Sequence, residues 1–349
     1  MKTTDVGSLP PLEPREKLDR AASAYVSVVG YLTESSLAKL FEKVVLKSLE
    51  DKVKAGVEAP NYPQLRDMNE MFMRQVSGVR RARGGYEVEG RLRALSPKVP
   101  ELEVLRRNLS VLRELGVSEL RACVTGPYTL STLFKTRTPD LIAQLGEVVT
   151  KFTEASVFNL RGARVTLVFV DEPVLGFLDD PLLDPESVGR EALLKAWEQV
   201  CHKASSLGAE AGFHLHTTAN PLFWEVEHLK IIQSHVGDPI YERKEPKLEE
   251  HDKLIAASVC RTDLDALIAE KVGEGRLGEV WASIRSGGSS GVEYLEGLEL
   301  MARRARRALE LYGSRVACSC PECGLGSFPS YSLALECLRR ASEAAKIAR

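Results

Sequence analysis

The chain alternates short apolar runs with longer helical patterns from end to end, and this alternation limits its fold more than any other feature. Nine runs have the length and composition of β-strands: 3–8, 58–62, 119–124, 165–170, 212–217, 229–236, 256–260, 279–284 and 315–319. Five longer segments carry apolar residues three and four positions apart, as amphipathic helices do: 34–54, 141–158, 191–206, 292–311 and 331–347. This order predicts βα units around a parallel sheet.

A length of 349 residues suits one large barrel, and no Pro/Gly/Ser-rich linker divides the helical patterns. We therefore predict an α/β protein with a single-domain (β/α)8 TIM barrel over residues 1–349. Nine candidate strands exceed eight places, so one of them lies outside the barrel, and 256–260 and 279–284 are the two candidates. Residues 77–100, with Arg80, Arg81, Arg83 and Arg93 around Gly84 and Gly85, interrupt the alternation and predict a hairpin insertion. This insertion is either a solvated surface excursion or a cap over the barrel mouth.

Charge and hydropathy exclude several classes of partner. The formal net charge is -2 and the basic residues are spread along helical segments, so we expect no nucleic-acid partner. No run approaches the roughly 20 apolar residues of a membrane span, and residues 1–10 lack the apolar region of a secretory signal. We expect no membrane association and a cytoplasmic location. An odd number of cysteines, three of them within 318–323, favours reduced thiols with a metal or catalytic role over a disulfide framework.

Polar residues follow several predicted strands, at the end where a parallel barrel collects its chemistry. His214 and His216 lie two apart on one run, so their imidazoles project to the same side. Cys323 and His235, which follow two other strands, would complete four ligands for Zn²⁺. The alternative is that all three histidines make ordinary hydrogen bonds.

Asp171 and Glu172 follow the apolar run 165–170 directly. Adjacent residues of an extended chain face opposite ways, so one carboxylate can point into the barrel mouth while the other caps a helix or pairs with a base. Both are candidate substrate contacts, and Asp171 is the candidate catalytic residue because a carboxylate there suits a substrate ammonium group. The alternative is that both are ordinary acids at a helix start.

The cysteines Cys318, Cys320 and Cys323 form a C-x-C-x-x-C pattern after the last predicted strand. A self-contained zinc knuckle would need a second ligand pair at short distance, and none follows. A site shared with the histidines is therefore favoured, with Cys320 as a possible alternate ligand. Fingerprints of dinucleotide binding, P-loops and serine hydrolases do not occur in the sequence.

Four motifs in order give the chain a resemblance to a known family. They are Thr-Thr-Asp-Val-Gly-Ser-Leu-Pro at 3–10, Val-Thr-Gly-Pro-Tyr-Thr-Leu at 124–130, Val-Asp-Glu-Pro-Val-Leu at 170–175 and Pro-Glu-Cys-Gly-Leu at 321–325. The sequence resembles the catalytic C-terminal barrel of cobalamin-independent methionine synthase, and especially the short single-barrel relatives known from archaea. The family activates the thiol of homocysteine on zinc for attack on a methyl donor.

The resemblance implies roles for individual residues. The family's zinc histidine corresponds to His214 and its last zinc cysteine to Cys323. Ser8 matches the serine that holds the amino acid substrate, and Asp171 the aspartate that meets its amino group. The family's substrate-binding glutamate has no clear counterpart, and Gln64 and Asp67 are the candidates to replace it.

Two ligand positions depart from the family. Its first zinc cysteine is His216 here, and its zinc glutamate aligns with His235, with Glu242 as the fallback ligand. The family's folate-stacking tryptophan is missing from 131–134. The family's ligands give zinc a net charge of about -1, whereas three neutral histidines and one thiolate give about +1.

A cationic site depresses the pKa of a bound thiol more strongly and leaves its thiolate less nucleophilic. The predicted function is therefore a zinc-dependent methyl or alkyl transferase acting on a small thiol, homocysteine first. The expected donor is a methyl-corrinoid or corrinoid protein, in preference to methyl-folate. Two alternatives stay open: a zinc-dependent lyase or hydrolase with Asp171 or Glu172 as base, and a non-catalytic barrel that binds a ligand or protein.

Overall fold

A computed structural model describes residues 1–27, 35–177 and 179–349. Its strands, numbered in chain order, are β1 (Lys2–Thr3), β2 (Val76–Ala82), β3 (Gly85–Ala94), β4 (Glu119–Thr125), β5 (Asn159–Leu160), β6 (Ala163–Asp171), β7 (Glu210–His214), β8 (Leu229–Gln233), β9 (Leu254–Cys260) and β10 (Val316–Pro321). Seven of them form a curved parallel sheet in the order β1-β10-β9-β8-β7-β6-β4, and β5 adds to it by antiparallel pairing with β6.

The two edge strands of this sheet share a neighbour. Thr4, just after β1, forms a parallel bridge with Ala59, and Arg121 of β4 forms one with Asn61. The backbone amide of Ala59 donates to Thr3 O at 2.9 Å, and that of Tyr62 donates to Arg121 O at 3.2 Å. The predicted strand 58–62 is thus an extended segment that bridges both edges.

The helices are α1 (Arg15–Ser27), α2 (Ser36–Lys54), α3 (Glu70–Met73), α4 (Pro100–Arg107), α5 (Leu109–Glu114), α6 (Pro127–Ser131), α7 (Pro139–Ser156), α8 (Val188–Ser206), α9 (Pro239–Glu242), α10 (Lys247–Glu250), α11 (Leu264–Val272), α12 (Leu277–Ser286), α13 (Leu298–Tyr312) and α14 (Tyr331–Ile347). Helices α7 and α8 pack on β4, β6, β7 and β8, while α13 and α14 pack on β9 and β10. Among the described residues, no helix is both long enough and apolar enough to span a membrane.

Local sequence explains where the long helices begin. The Thr138 hydroxyl accepts a hydrogen bond from the Leu141 amide, and Pro139 occupies the first helical position of α7. Ser187 caps α8 in the same way, through the amide of Arg190. These residues satisfy amide groups that the first helical turn leaves without partners.

Most predicted elements match the structure, and the structure shows which of the two doubtful runs is not a strand. The five predicted helices fall on α2, α7, α8, α13 and α14, although residue 34 lies outside the described residues. Run 256–260 is part of β9, in the sheet, whereas the prediction of a strand at 279–284 is wrong because those residues lie in α12. Leu277, Val280, Trp281 and Ile284 recur with the helical spacing of three and four residues.

Strands β2 and β3 form an antiparallel hairpin over residues 76–94. The hairpin packs beside α7, where the Leu92 amide donates to Gln144 Oε1 at 2.7 Å and Arg91 pairs with Glu147 at 2.8 Å. Tyr86 contacts Phe134 with ring centroids 5.8 Å apart. These contacts place the hairpin on the flank of the sheet. The single-domain organisation of residues 1–349 stays a prediction.

Candidate metal centre

Four side chains from three strand ends meet at one point. Their ligand atoms lie within 4.8 Å of one another, and the residues are His214, His216, His235 and Cys323. His214 is the last residue of β7, and His235 and Cys323 each follow their strand, β8 or β10, by two positions. Because these strands are parallel neighbours or near neighbours, their carboxyl ends bring distant parts of the sequence together.

The distances in this group suit ligands around one ion. Cys323 Sγ lies 3.7 Å from His214 Nε2 and 3.6 Å from His216 Nε2. Zn–S and Zn–N bonds of about 2.3 and 2.0–2.1 Å place sulfur and nitrogen about 3.6 Å apart in a tetrahedral site. His235 Nε2 is buried and has no hydrogen-bond partner in the described part of the chain. A buried lone pair without a donor is costly, and a metal ion would satisfy it. The residues therefore fit a zinc ion.

Burial keeps the histidines of this group neutral. It is the main cause that lowers the pKa of His214 well below its ordinary value, that of His216 to about 3 and that of His235 to about 4. The nearby His235 lowers the pKa of His216 further. Neutral imidazole is the form that binds metal, so the site is prepared for an ion at neutral pH.

Cys323 behaves in the opposite way. Burial raises the pKa of its thiol to about 12, and the nearby Asp171 and Glu322 add to this effect. Without a metal ion the side chain is therefore a thiol at neutral pH. A metal must displace its proton to bind, because only the thiolate is a strong ligand.

A cavity of about 290 Å³ opens beside this group. It is lined by three of the four candidate ligands, His214, His216 and Cys323, and by the candidate substrate residues Ser8, Gln64, Asp67 and Asp171. The sequence analysis named these residues on separate grounds, some from their place at strand ends and others from the family resemblance, and the structure brings them to one cavity.

Ser8 is held against the turn that carries Cys323. Its carbonyl accepts a hydrogen bond from the Leu325 amide at 2.9 Å, and its hydroxyl accepts one from the Gly326 amide at 3.2 Å. A Cβ atom on Gly324 would lie 2.0 Å from Ser8 Oγ, so any larger residue at position 324 would displace the Ser8 hydroxyl. The two terminal motifs of the sequence thus meet directly.

Asp171, the last residue of β6, is a buried carboxyl in the cavity wall. Its Oδ1 atom is without a hydrogen-bond partner in residues 1–27, 35–177 and 179–349. Burial raises the pKa of Asp171 to about 7, against a lowering effect of Arg121 and with a further rise from Glu172. An ammonium group in the cavity would stabilise the ionised form.

Gln64 and Asp67, the other two candidates for substrate contact, differ in burial and in hydrogen bonding. Gln64 is buried, and its Nε2 atom lies 3.8 Å from Met71 Sδ. Asp67 is exposed, and its Oδ1 atom accepts hydrogen bonds from the amides of Asn69 and Glu70, both at 2.9 Å. Gln64 therefore offers a buried amide in the cavity wall, while Asp67 partly serves to begin helix α3.

Glu172 does not line the cavity. Its Oε1 atom accepts hydrogen bonds from the Tyr128 amide at 3.0 Å and the Trp197 indole at 2.7 Å, and its Oε2 atom accepts two from Thr129, at 2.6 and 2.7 Å. The side chain is fully buried against helix α6. The predicted substrate contact from Glu172 is corrected to capping of this helix, which was the second role open to one of the two acids.

The alternate ligands lie elsewhere. Cys320 packs in a buried cluster with Leu167, Phe169, Ile231, Ala256 and Cys318. Glu242, at the end of α9, is exposed, and Arg307 donates to its backbone carbonyl at 2.8 Å. Neither belongs to the four-residue group. Side chains alternate in direction along β10, so Cys318 and Cys320 face the core while the turn after the strand carries Cys323 to the site.

Arg15 also lines the cavity, which the sequence did not indicate. It is the first residue of α1 and is exposed. In the described ranges its guanidinium forms no hydrogen bond or ion pair, unlike Arg66, which pairs with Glu101 at 2.8 Å. A charged residue at a helix start is common, and only the folded chain shows that this one faces the candidate ligands.

The fold and the site together define a class: an α/β protein with a curved parallel sheet that carries a candidate metal centre and a cavity at the carboxyl ends of its strands. No protein-family model matches the chain, and no curated protein matches it. Comparison with solved structures, in contrast, finds proteins of the same fold.

Three of these structures cover almost the whole chain. A B12-independent methionine synthase from Shewanella sp. W3-18-1, in complex with selenomethionine, has a TM-score of 0.63 at 16% identity, covering 99% of this chain and 96% of its own. A putative vitamin-B12 independent methionine synthase from Listeria monocytogenes has 0.59 at 16%, covering 99% and 98%. A methyltransferase from Methanosarcina mazei has 0.52 at 13%, covering 99% and 94%. The resemblance to methionine synthase barrels is confirmed at the level of the fold.

Proposed function

We propose that this protein is a zinc-dependent methyltransferase that moves a methyl or alkyl group to a small thiol, with homocysteine as the first candidate acceptor. The observation that carries the proposal is the group of three histidines and Cys323, spaced as metal ligands, at the wall of a cavity that also contains Ser8 and Asp171. The similarity of fold to methionine synthase structures supports it.

The proposal includes a closed barrel. The parallel bridges from Thr4 to Ala59 and from Asn61 to Arg121 support segment 58–62 as the eighth strand of a (β/α)8 barrel. In that arrangement β1 and β4 lie on either side of it, and the cavity is the barrel mouth. Chemistry at this end of the strands is typical of such barrels.

Residues of the cavity offer a place for each part of an amino acid thiol. A bound zinc ion would hold the thiol sulfur and lower its pKa, which activates it as a nucleophile. The Oδ1 atom of Asp171, which has no hydrogen-bond partner among the described residues, would accept a hydrogen bond from the substrate ammonium group. Arg15, which is without an ion pair in the described residues, would face the substrate carboxylate, and Ser8 would position the backbone of the substrate.

The ligand set bears on the methyl donor. Three neutral imidazoles and one thiolate leave a site with zinc at a net charge of about +1, which lowers the electron density on a bound thiolate. A weaker nucleophile requires a more reactive donor. We therefore propose a methyl-corrinoid, free or on a corrinoid protein, as the donor.

X-ray absorption at the zinc edge tests this proposal on purified, zinc-loaded protein. Added homocysteine should contribute a second sulfur to the zinc coordination shell, beside that of Cys323. If the first shell keeps one sulfur and an oxygen at saturating homocysteine, metal-bound water would be the nucleophile, as in a hydrolase or lyase. If the protein takes up no zinc after loading, the non-catalytic alternative would stand.

A further inference from the structure

Both carboxylate oxygens of Glu322, the residue before Cys323, accept hydrogen bonds from backbone amides in the segments that follow β8 and β9. Oε2 accepts a hydrogen bond from the Val236 amide at 2.9 Å, and Oε1 accepts one from the Thr262 amide at 2.7 Å. The side chain is 4% exposed. Hydrogen bonds from amides to a buried carboxylate are stronger than those between neutral groups, so this is a firm connection.

The main chain of Glu322 is held at the same place. Its amide donates to Cys260 O, the last carbonyl of β9, at 3.0 Å. Its carbonyl oxygen lies 3.3 Å from Gln233 Nε2, the donor at the end of β8. One residue therefore joins the ends of β8, β9 and β10 through four contacts.

Two of the candidate metal ligands are next to these contacts. His235 precedes Val236, whose amide binds Glu322, and Cys323 follows Glu322 itself. The Glu322 carboxylate therefore connects the backbone beside His235 to the backbone beside Cys323. On its other side, Cys323 is fixed because the amide of Leu325 donates to Ser8 O at 2.9 Å.

We propose that Glu322 is a positioning residue for the metal centre, which sets the separation of His235 and Cys323 by binding the backbone after one to the backbone before the other. The inference rests on the proposed metal site. Glu322 is not itself assigned as a ligand, because both of its oxygens already accept hydrogen bonds. Outer-shell contacts of this kind hold ligands in the geometry that the ion requires.

Metal competition with a chromophoric chelator on the full chain tests the inference, with Glu322→Gln as the main variant. Glutamine keeps one acceptor oxygen and turns an NH₂ group toward the other amide, so one of the two connections is lost. We expect about 10- to 100-fold weaker zinc affinity, the usual effect of losing an outer-shell partner. In the cobalt-substituted protein, the sulfur-to-cobalt charge-transfer band should shift or weaken.

Glu296→Gln is the matched control. Glu296, just before α13, is also a buried carboxylate. It accepts a hydrogen bond at 2.8 Å from the amide of Arg261, the residue after β9, and pairs with Arg304 at 2.6 Å. Its loss should lower the free energy of unfolding but leave the cobalt spectrum and the zinc affinity as in the parent. Glu322→Asp is a second variant, which keeps the charge but is too short to reach both amides, and it should also weaken zinc binding.

The outcomes separate this inference from the proposed function. If the parent binds no metal, the metal site itself is wrong. If the parent binds zinc and Glu322→Gln binds it equally well with the same cobalt spectrum, the metal site stands and the role of Glu322 is overturned. Equal losses of affinity in the Glu322 and Glu296 variants would also overturn it, since they would reflect general stability. Should Glu322→Gln not fold, parent-like zinc affinity in Glu322→Asp overturns the role.

Discussion

Cys323 Sγ lies 3.6 Å from Nε2 of His216, although 107 positions of sequence separate the two residues. The resemblance to methionine synthases implies a cysteine at position 216, so this contact replaces a pair of thiolates by one thiolate and one neutral imidazole. The change raises the charge of the site by one unit. This change should alter the number of protons that zinc binding releases and the reactivity of a thiolate bound to the zinc.

The ligand assignment predicts that removal of one side chain empties the site. Protein purified without added zinc should contain about one zinc per chain, because four side chains are placed to bind one ion. His216→Ala and Cys323→Ala should each bind zinc more than about 100-fold more weakly, beyond the usual cost of an outer-shell contact. Elemental analysis and chelator competition measure both quantities. Cys320→Ala, which removes a thiol from the buried core cluster, should keep the zinc content of the parent.

Zinc binding should release one proton per ion near neutral pH. The pKa of His216 is about 3 and that of His235 about 4, so neither imidazole carries a proton to lose, whereas the Cys323 thiol, with a pKa of about 12, must lose one. The logarithm of the binding constant should therefore rise by about one per pH unit between about pH 5 and 9, and more steeply below pH 4, where the histidines protonate.

Calorimetry in buffers of different ionisation enthalpy counts the released protons. The Asp171→Asn variant removes a second titrating group, since the pKa of Asp171 is about 7. A release of two protons in this variant would mean that a second group, either the Cys320 thiol or a metal-bound water, also loses a proton. A release of none would mean that Cys323 is not a ligand.

The fold follows from local patterns that the sequence displays. Runs such as 165–170 are apolar because a strand buried on both faces must be, and α14 covers the predicted range 331–347. The exception, 279–284, shows the limit of this reasoning: a short apolar run of six residues has too few positions to distinguish periods of two and 3.6. Its single buried residue, Val280, is what a surface helix requires.

The site was predictable only as far as strand ends carry polar residues. Spacing placed His214 and His216 on one side of a strand, but it could not show which acid of the pair Asp171 and Glu172 enters the cavity. The Glu172 carboxylate can cap α6 because Gly126 leaves room for it: a Cβ atom at position 126 would lie 2.2 Å from the Glu172 carboxylate. Contacts of this kind, like that of Arg15 with the cavity, depend on tertiary packing and leave no periodic signal.

The cavity residues predict a division of labour that substrate analogues can separate. Asp171→Asn should weaken binding of homocysteine about 10- to 100-fold, as the loss of a charged hydrogen bond does. It should not weaken binding of 4-mercaptobutyrate, which lacks the amino group. Arg15→Gln should weaken binding of both acids but not of 3-aminopropanethiol, which lacks the carboxylate. Titration of the cobalt-substituted protein measures each dissociation constant.

The pH dependence gives an internal control for this division. Homocysteine binding to the parent should strengthen as pH rises toward and through the pKa of Asp171 at about 7, because only the ionised carboxylate attracts the ammonium group. In Asp171→Asn this component should disappear. Equal effects of Asp171→Asn on homocysteine and 4-mercaptobutyrate would contradict the assigned contact.

The corrected role of Glu172 predicts an effect on stability without an effect on metal. Glu172→Gln places an NH₂ group among the donors of Tyr128, Thr129 and Trp197, and each donor left without an acceptor costs about 1–3 kcal/mol. The free energy of unfolding, measured in urea, should fall by at least that amount while zinc affinity stays unchanged. Glu250→Gln, at an exposed position of α10, should shift it by less than about 0.5 kcal/mol. Loss of zinc from the Glu172 variant at parent-like stability would return this residue to the site.

The charge of the site predicts which methyl donor the protein can use, and a substitution at position 216 changes that charge. The parent, with zinc at about +1, should transfer methyl from methylcobalamin to homocysteine and not from methyltetrahydrofolate. His216→Cys adds a thiolate and lowers the charge of the zinc site to about zero. Zinc binding should then release one more proton, and the bound substrate thiolate should react faster with methylcobalamin.

Single-turnover rates with methylcobalamin and with methyltetrahydrofolate measure the reactivity of the bound thiolate. His202→Cys, which adds a thiol at an exposed position of α8, should match the parent. Efficient transfer from methyltetrahydrofolate by the parent, with no reaction of the corrinoid, would show that the ligand charge does not select the donor.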